Sequence, residues 1–428
     1  VPFVVIEFYI LIVMLAVFAL AVFLGRFPIG VSLALASIIG ALMAGYGIPL
    51  RHLVEGSFAY LDPILIIASA IVYMEIIKET GALGEISRLI ITHLHNRPFW
   101  MLLLITLFIM FPGMITGLST AAVLTTGAIV APALMHLGIP RKKTGSIIAM
   151  AALYGMIAPP INVPVMIIGG GVDMPYVGFE LPLLFASLPL AIVTTLFLGY
   201  KYVRKVNLEQ ILPDLPESQF SKHGIRLFLP IFVLIILMLA TRLFPNKYTS
   251  LGMPLIFVIS SITAFHSGKP FGFLRVAKKA ISNAMPVMGI LVGIGMFIQI
   301  MSLTGVRGFL IVKAVQLPSF WLYIGIIISL PLFGAISSYG ASYVLGVPFL
   351  LALLGRNEII VASGLTLIAS LGDLMPPTAL AGIFAAQVVD ESNYFRILKI
   401  CLPYALITAL YGMGMILLAN ILAKFLIV

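Results

Sequence analysis

The chain has 428 residues, of which 61% are hydrophobic and 9% charged, with a mean hydropathy of +1.18. A soluble globular domain carries about a quarter charged residues, so this composition excludes one and indicates a polytopic protein embedded in a lipid bilayer. The formal net charge of +10 comes from Lys and Arg scattered over short loops, the pattern of membrane-helix ends, and gives no reason to expect nucleic acid as a partner.

In chain order, apolar runs at about 7–24, 29–47 and 61–79 read as helices, with breaks at Arg26-Phe27-Pro28 and around Arg51. No basic segment or small-residue cleavage site marks the first run as a signal peptide, so it reads as a retained helix. Between Gly84 and Pro98, Glu85, Arg88, His93 and His95 alternate with Ile and Leu, which suits a helix lying in the interface. The two histidines are two residues apart, do not share a helix face and do not suggest a metal site. Two shorter apolar arms follow, within about 99–137, separated by Thr116-Gly117-Leu118-Ser119; they read as a re-entrant hairpin.

The next apolar segment, about 144–171, is interrupted by Gly155-Met156-Ile157-Ala158-Pro159-Pro160-Ile161-Asn162. Two adjacent prolines remove backbone donors and clash with the preceding turn, so the helix must break. At membrane depth such a break is tolerated only where the freed groups are packed in protein or line a cavity, so a site belongs there. A span at 181–200 completes the half.

The order then repeats. Thr80-Gly81 with Gly84 returns as Thr304-Gly305 with Gly308, and Pro98-Phe99-Trp100 as Pro318-Ser319-Phe320-Trp321, using both tryptophans of the chain. Gly117 pairs with Gly334, Pro132 with Pro348 and Gly138 with Gly355, and Gly372-Asp373-Leu374-Met375-Pro376-Pro377-Thr378 repeats the paired-proline break. The order and near-constant spacing indicate a duplication: a first repeat over 1–200, a cytoplasmic linker at 201–226, and a second repeat over 227–428 with its hairpin at about 319–354 and its broken helix at about 358–389.

Five crossings per half would invert the second copy. The expected fold class is therefore an all-α polytopic membrane protein of two inverted-topology repeats, each with a re-entrant hairpin and a discontinuous helix. With the linker in the cytoplasm, only Arg51, Arg242, Lys247, Arg307, Lys313, Arg356 and Lys424 of the 25 Lys and Arg fall outside. The positive-inside rule then supports this orientation and puts both termini outside.

That plan is one of a secondary transporter with its site near the midplane. Helix N-termini at hairpin tips suit a carboxylate, and freed carbonyls with neutral hydroxyls suit a sodium ion. Near the first break lie Thr116, Ser119, Thr120 and Asn162, with carbonyls about Gly155 and Pro159; near the second lie Ser337, Ser338, Ser342 and Thr378. Asp373 is the one acid at the second break, a candidate to bind a cation or carry a proton, with a carboxylate satisfied by freed amides as the plain alternative. Glu75 and Gln299, each five residues before a Thr-Gly pair, read as polar packing residues. Gly169-Gly170-Gly171 and Gly289-x-x-x-Gly293 read as sites of close helix packing. No paired nucleophile and base or metal cluster suggests an enzyme.

The run Gly117-Leu118-Ser119-Thr120-Ala121, with Gly127, Pro132 and Gly155-x-x-x-Pro159-Pro160, resembles the large membrane subunit of the tripartite ATP-independent periplasmic (TRAP) transporters, over nearly the whole chain. The resemblance implies sodium-driven uptake of an organic acid through the cytoplasmic (inner) membrane of a bacterium or archaeon. It also implies an elevator motion of a transport domain on a scaffold, a small four-helix membrane subunit, and an extracytoplasmic substrate-binding protein as partners. It further implies one sodium site at Thr116, Ser119, Gly155 and Pro159 and a second at Gly334, Gly372, Met375 and Thr378. Read from their place at the breaks and not from the resemblance, Thr120, Pro160, Asn162, Ser337, Ser338, Ser342 and Asp373 are the substrate or coupling candidates. The second tip, Ala335-Ile336-Ser337-Ser338-Tyr339-Gly340, departs from the family's acidic pattern. A self-sufficient sodium- or proton-coupled carboxylate transporter of the wider superfamily is the alternative reading.

Overall fold

The structure is a computed structural model and describes residues 3–203, 216–243 and 251–427. Residues 204–215 of the expected linker, with Arg204 and Lys205, and Lys247 lie outside these residues. The described chain is helical, with one isolated bridge, Leu354 to Arg356. Among the described residues seven helices are long and apolar enough to cross a membrane, and the bent pair Leu50–Phe58 and Leu61–Thr80 would make an eighth.

The helices sort into two bodies. The first is organised on Phe273–Leu303, a single helix of 31 residues, about 46 Å long at 1.5 Å per residue and therefore longer than the bilayer core. Ile29–Met43, Leu50–Phe58 and Leu61–Thr80 pack along it, with Phe3–Phe23 behind the first of these and Met253–Thr263 behind the last. Glycines set the close approach: a Cβ on Gly30 would stand 2.1 Å from the Gly289 carbonyl oxygen, one on Gly293 2.4 Å from that of Gly30, and one on Gly295 2.0 Å from that of Gly56. With no hydrophobic drive between helices in lipid, such small-residue contacts hold them together.

The second body surrounds Arg141–Ile157, which is buried without interruption from Thr144 to Ile157. Pro98–Thr116, Glu180–Gly199, Leu380–Val388 and Tyr394–Leu417 cover it. Glu358–Ser370, likewise buried from Ile360 onward, packs on Tyr394–Leu417 and on the second hairpin.

The two halves carry similar backbone elements in the same order. Each hairpin has an ascending arm, Pro98–Thr116 or Ser319–Gly334, and a returning arm, Ser119–His136 or Ser338–Ala352, that carries a π-helical turn at Val123–Gly127 or Ser342–Gly346. Each break contains a cis proline pair, Pro159-Pro160 and Pro376-Pro377. Thr80 and Thr304 hydrogen-bond back into their own helices just before left-handed Gly81 and Gly305.

One pairing from the sequence needs correction. Gly117 is not the partner of Gly334: it caps the first arm in a left-handed conformation. The glycine that packs against the first break is Gly113, where a Cβ would lie 2.8 Å from the Gly155 carbonyl carbon, whereas Gly334 packs against Gly372, where a Cβ would lie 2.1 Å from the Gly334 carbonyl carbon. Counting from these two contacts, the second tip is shorter. The copies also differ ahead of the hairpin: the first has the Leu50–Phe58 and Leu61–Thr80 pair, bent by 43°, and the second the continuous long helix.

The far end of the linker is anchored. Glu85, on the helix Ala82–Leu94, accepts hydrogen bonds from Ser218 Oγ at 3.1 Å and from the Gln219 amide at 2.7 Å, and Arg88 donates to the Pro216 carbonyl at 3.1 Å.

Candidate functional site

Both hairpin tips and the second break meet at one cavity of about 510 Å³ between the two bodies. Thr116 to Ala121 and Ile336 to Tyr339 form one wall with Asp373, Thr378, Leu380 and Phe384; Met74, Glu75, Lys78, Lys279 and Asn283 stand on the other. The size suits a small organic molecule.

On the tip side, Ser119 donates a hydrogen bond to Asp373 Oδ2 at 2.5 Å, joining the first hairpin to the second break across 254 residues. Asp373 is 4% exposed. Ser338 flanks the same carboxylate. Tyr339 reaches from the second tip to donate to the Gly117 carbonyl at 3.0 Å. The returning arms start at Ser119 and Ser338, so the free amides of two helix N-termini face this corner, where they favour negative charge.

Several candidates are committed locally. Thr116 Oγ1 donates to the Pro112 carbonyl at 2.7 Å and accepts from the Leu118 amide at 3.2 Å, shaping the turn into the tip. Ser337 caps its arm by accepting from the Gly340 amide. Thr378 Oγ1 donates to the Ala335 carbonyl at 2.7 Å, and its amide points to the same oxygen. Ser342 bonds back to Ser338 and lies off the cavity wall. Thr120, Ser337, Ser338, Thr378 and Asp373 join Thr116 and Ser119 at the cavity; Gly155, Pro159, Pro160, Asn162, Gly334, Gly372 and Met375 stand behind it.

Asn162 has a clear structural task. Its Oδ1 accepts from the Val165 amide at 2.9 Å, and its Nδ2 donates to the Ile157 carbonyl at 2.9 Å, so one side chain holds both sides of the first break. Tyr176, stacked on Phe179, donates to the Pro160 carbonyl and accepts from the Asn162 amide, each at 3.1 Å.

The opposite wall carries charge that sequence reasoning did not place at the site. Lys279 pairs with Glu75 at 2.5 Å and approaches Glu79 at 3.7 Å, while Lys78 lines the cavity beside them. Glu75 thus holds an ion pair on this wall. Tyr339, Lys279 and Tyr176 left no sequence signal, because each acts on a segment far away in the chain. Among the described residues, no group of three or more His, Cys, Asp or Glu could hold a metal ion.

Comparison with known proteins fixes the family. A model of the tripartite ATP-independent periplasmic transporter, DctM component, matches residues 12–421. The chain belongs to the DctM family. It is thus a large membrane component of a TRAP-type secondary transporter, a class that works with a small membrane subunit and a periplasmic binding protein in the inner membrane. The DctM-family chain is similar in fold to the YdaH transporter of Alcanivorax borkumensis, with a TM-score of 0.61, 16% identity and coverage of 92% of this chain and 98% of that one. It is also similar to MtrF of Neisseria gonorrhoeae, described as representing a class of antimetabolite efflux pumps, with a TM-score of 0.61, 15% identity, and coverage of 86% of this chain and 83% of that one. No curated protein matched.

Proposed function

We propose that this DctM-family protein imports an organic acid, coupled to sodium, through the cavity at the hairpin tips. Substrate arrives from an extracytoplasmic binding protein, and a separate small membrane subunit completes the permease. The observation that carries this reading is the convergence of both tips and the second break on Asp373 and Ser119. Two helix N-termini there offer amides to an anion, and a carboxylate with the hydroxyls of Ser119, Ser338 and Thr378 offers hard oxygen ligands to a cation. This donor set fits a sodium ion. A cation at Asp373 offsets the carboxylate's charge, which would otherwise repel an anionic substrate at the same corner.

The body carrying both hairpins acts as the transport domain, moving as an elevator against the scaffold built on Phe273–Leu303. Under the orientation favoured by the basic residues, Lys78 and Lys279 lie toward the cytoplasm, so the cavity opens inward. Its position between bodies rather than inside one supports this reading, since relative movement of the bodies changes its access.

The test is thermal unfolding of the purified protein in detergent as sodium replaces choline at constant ionic strength. A ligand that binds only the folded state raises the midpoint in a saturable way. The expected result is a saturable rise that Ser119→Ala abolishes. A midpoint indifferent to sodium but responsive to pH, with the pH response lost in Asp373→Asn, would replace sodium by a proton as coupling ion. Indifference to both would remove Asp373 and Ser119 from the coupling site.

A further inference from the structure

Arg307 bridges several elements at the end of the long helix away from Lys279. Arg307 follows the long helix Phe273–Leu303, while Lys279 sits near that helix's start. The distance from Lys279 to Leu303 is about 36 Å at helical rise, so Arg307 and the Lys279 mouth of the cavity stand at opposite ends of the long helix. From the helix Val306–Gln316, which follows the long helix and packs on it, on Phe3–Phe23 and on the returning arm of the second hairpin, the Arg307 guanidinium donates a short hydrogen bond to the Gly171 carbonyl, which ends the Val163–Gly170 helix of the first break. It also lies 6.0 Å from the ring centre of Tyr343, in the π-helical turn of the second hairpin. Arg307 therefore holds parts of both repeats of the moving body at once.

The surroundings make this a close fit. A Cβ on Gly171 would stand 2.4 Å from the Val347 side chain and 2.9 Å from the Tyr343 ring, so nothing larger than glycine brings that carbonyl to the arginine. Tyr343 is 3% exposed, and its hydroxyl has no hydrogen-bond partner. A buried, unpaired hydroxyl favours separation, because water would satisfy it once the interface opens. The contact thus combines a charge-assisted hydrogen bond that holds the bodies together with a polar group that gains on release.

We propose that Arg307 is a positioning residue for transport: a latch that favours the arrangement with the cavity open at the Lys78 end and must let go before the site reaches the other face. The proposal rests on the alternating-access reading above. It predicts that loss of the guanidinium shifts the population toward the opposite opening, since only a contact made in one of two states biases their balance.

The sequence makes the test simple, because Cys401 is the single cysteine and is buried. In a Cys401→Ala background, Ala121→Cys puts one thiol on the cavity wall, and a membrane-impermeant maleimide is applied from each face of oriented proteoliposomes. The parent is expected to label from the Lys78 face only. Arg307→Ala should raise the labelling rate from the opposite face about ten-fold, the scale of losing a hydrogen bond to a charged group. Arg307→Gln, which keeps the stem and loses the charge, should do the same and carries the test if the alanine variant does not fold. One-sided labelling unchanged by the substitution overturns the latch and leaves alternating access standing. Equal labelling of the parent from both faces overturns the resting state open at the Lys78 end, and with it the latch that is to favour that state.

Discussion

At the first break the chain between Ile157 and Val163 is held from both sides: Asn162 caps the outgoing helix and bonds back to the incoming one, and Tyr176 bridges Pro160 and Asn162. At the second, the position matching Asn162 is Ala379, left-handed at φ 39° with no side-chain cap, and Pro376 and Pro377 are exposed. Here the freed groups turn to other elements, Thr378 to Ala335 and the Leu374 carbonyl to Tyr394. In both, the amide after the prolines reaches the hairpin arm, Ile161 to Met114 and Thr378 to Ala335, so the breaks differ in the side-chain bracing that Asn162 gives the first and in the second's place on the cavity wall. The lesson is that equivalent backbone breaks in lipid need not share a task. What matters is how many of the freed polar groups a side chain of the break itself satisfies.

Substitutions at matched positions break or sharpen that contrast. The largest expected effects are at the glycine contacts. Gly372→Ala drives a methyl into the Gly334 backbone and Gly155→Ala one into Met110, each lowering the thermal midpoint in detergent by an amount corresponding to about 1–3 kcal/mol. Equal losses mean that the two arm-to-break contacts are equally rigid. A smaller loss at Gly372 locates the give in the second copy.

Next, Asn162→Ala removes a cap and a bridge and should cost about 2 kcal/mol. Its mate has the opposite sign: Ala379→Gly relieves a left-handed alanine and should be neutral or stabilising by up to about 1 kcal/mol. Thermal unfolding of both variants checks this, and destabilisation of similar size at the two positions would erase the contrast. Tyr176→Phe, which loses only the bridging hydroxyl, should cost about 1 kcal/mol and leave sodium dependence unaltered. The smallest effect on stability and the largest on ion response belongs to Asp373→Asn. Its measured sodium and pH dependence of the midpoint should depart from the parent while its stability in sodium-free buffer stays within about 1 kcal/mol. Unaltered dependence would return Asp373 to a structural role.

Much of this architecture is legible because glycine and proline punctuate apolar sequence in ways that few conformations accept. Paired prolines, tip motifs and Thr-Gly pairs stand out even where every neighbour is Leu, Ile or Val. The mispairing of Gly117 with Gly334 shows the limit. Matching letters favoured one glycine, whereas close packing on the break selected Gly113, and a shorter second tip hid the shift. Composition likewise could not distinguish the bent pair Leu50–Phe58 and Leu61–Thr80 from the continuous helix in the other copy. At the cavity, the polar tip residues could be read from local spacing. Tyr339 and Lys279 could not, because their partners are distant in sequence and only packing brings them together.

The aromatic pairs that open the two hairpins offer an optical consequence. Phe99 meets Trp100 edge-on with ring centres 5.4 Å apart, and Phe320 meets Trp321 in the same manner at 5.6 Å. The indoles are 53% and 59% exposed, one in each half. If the halves are inverted, these two fluorophores face opposite leaflets. An aqueous quencher added to one side of a sealed vesicle would then dim Trp100 or Trp321 alone, and single Trp→Phe variants would identify which. Each half of the chain carries its own depth gauge.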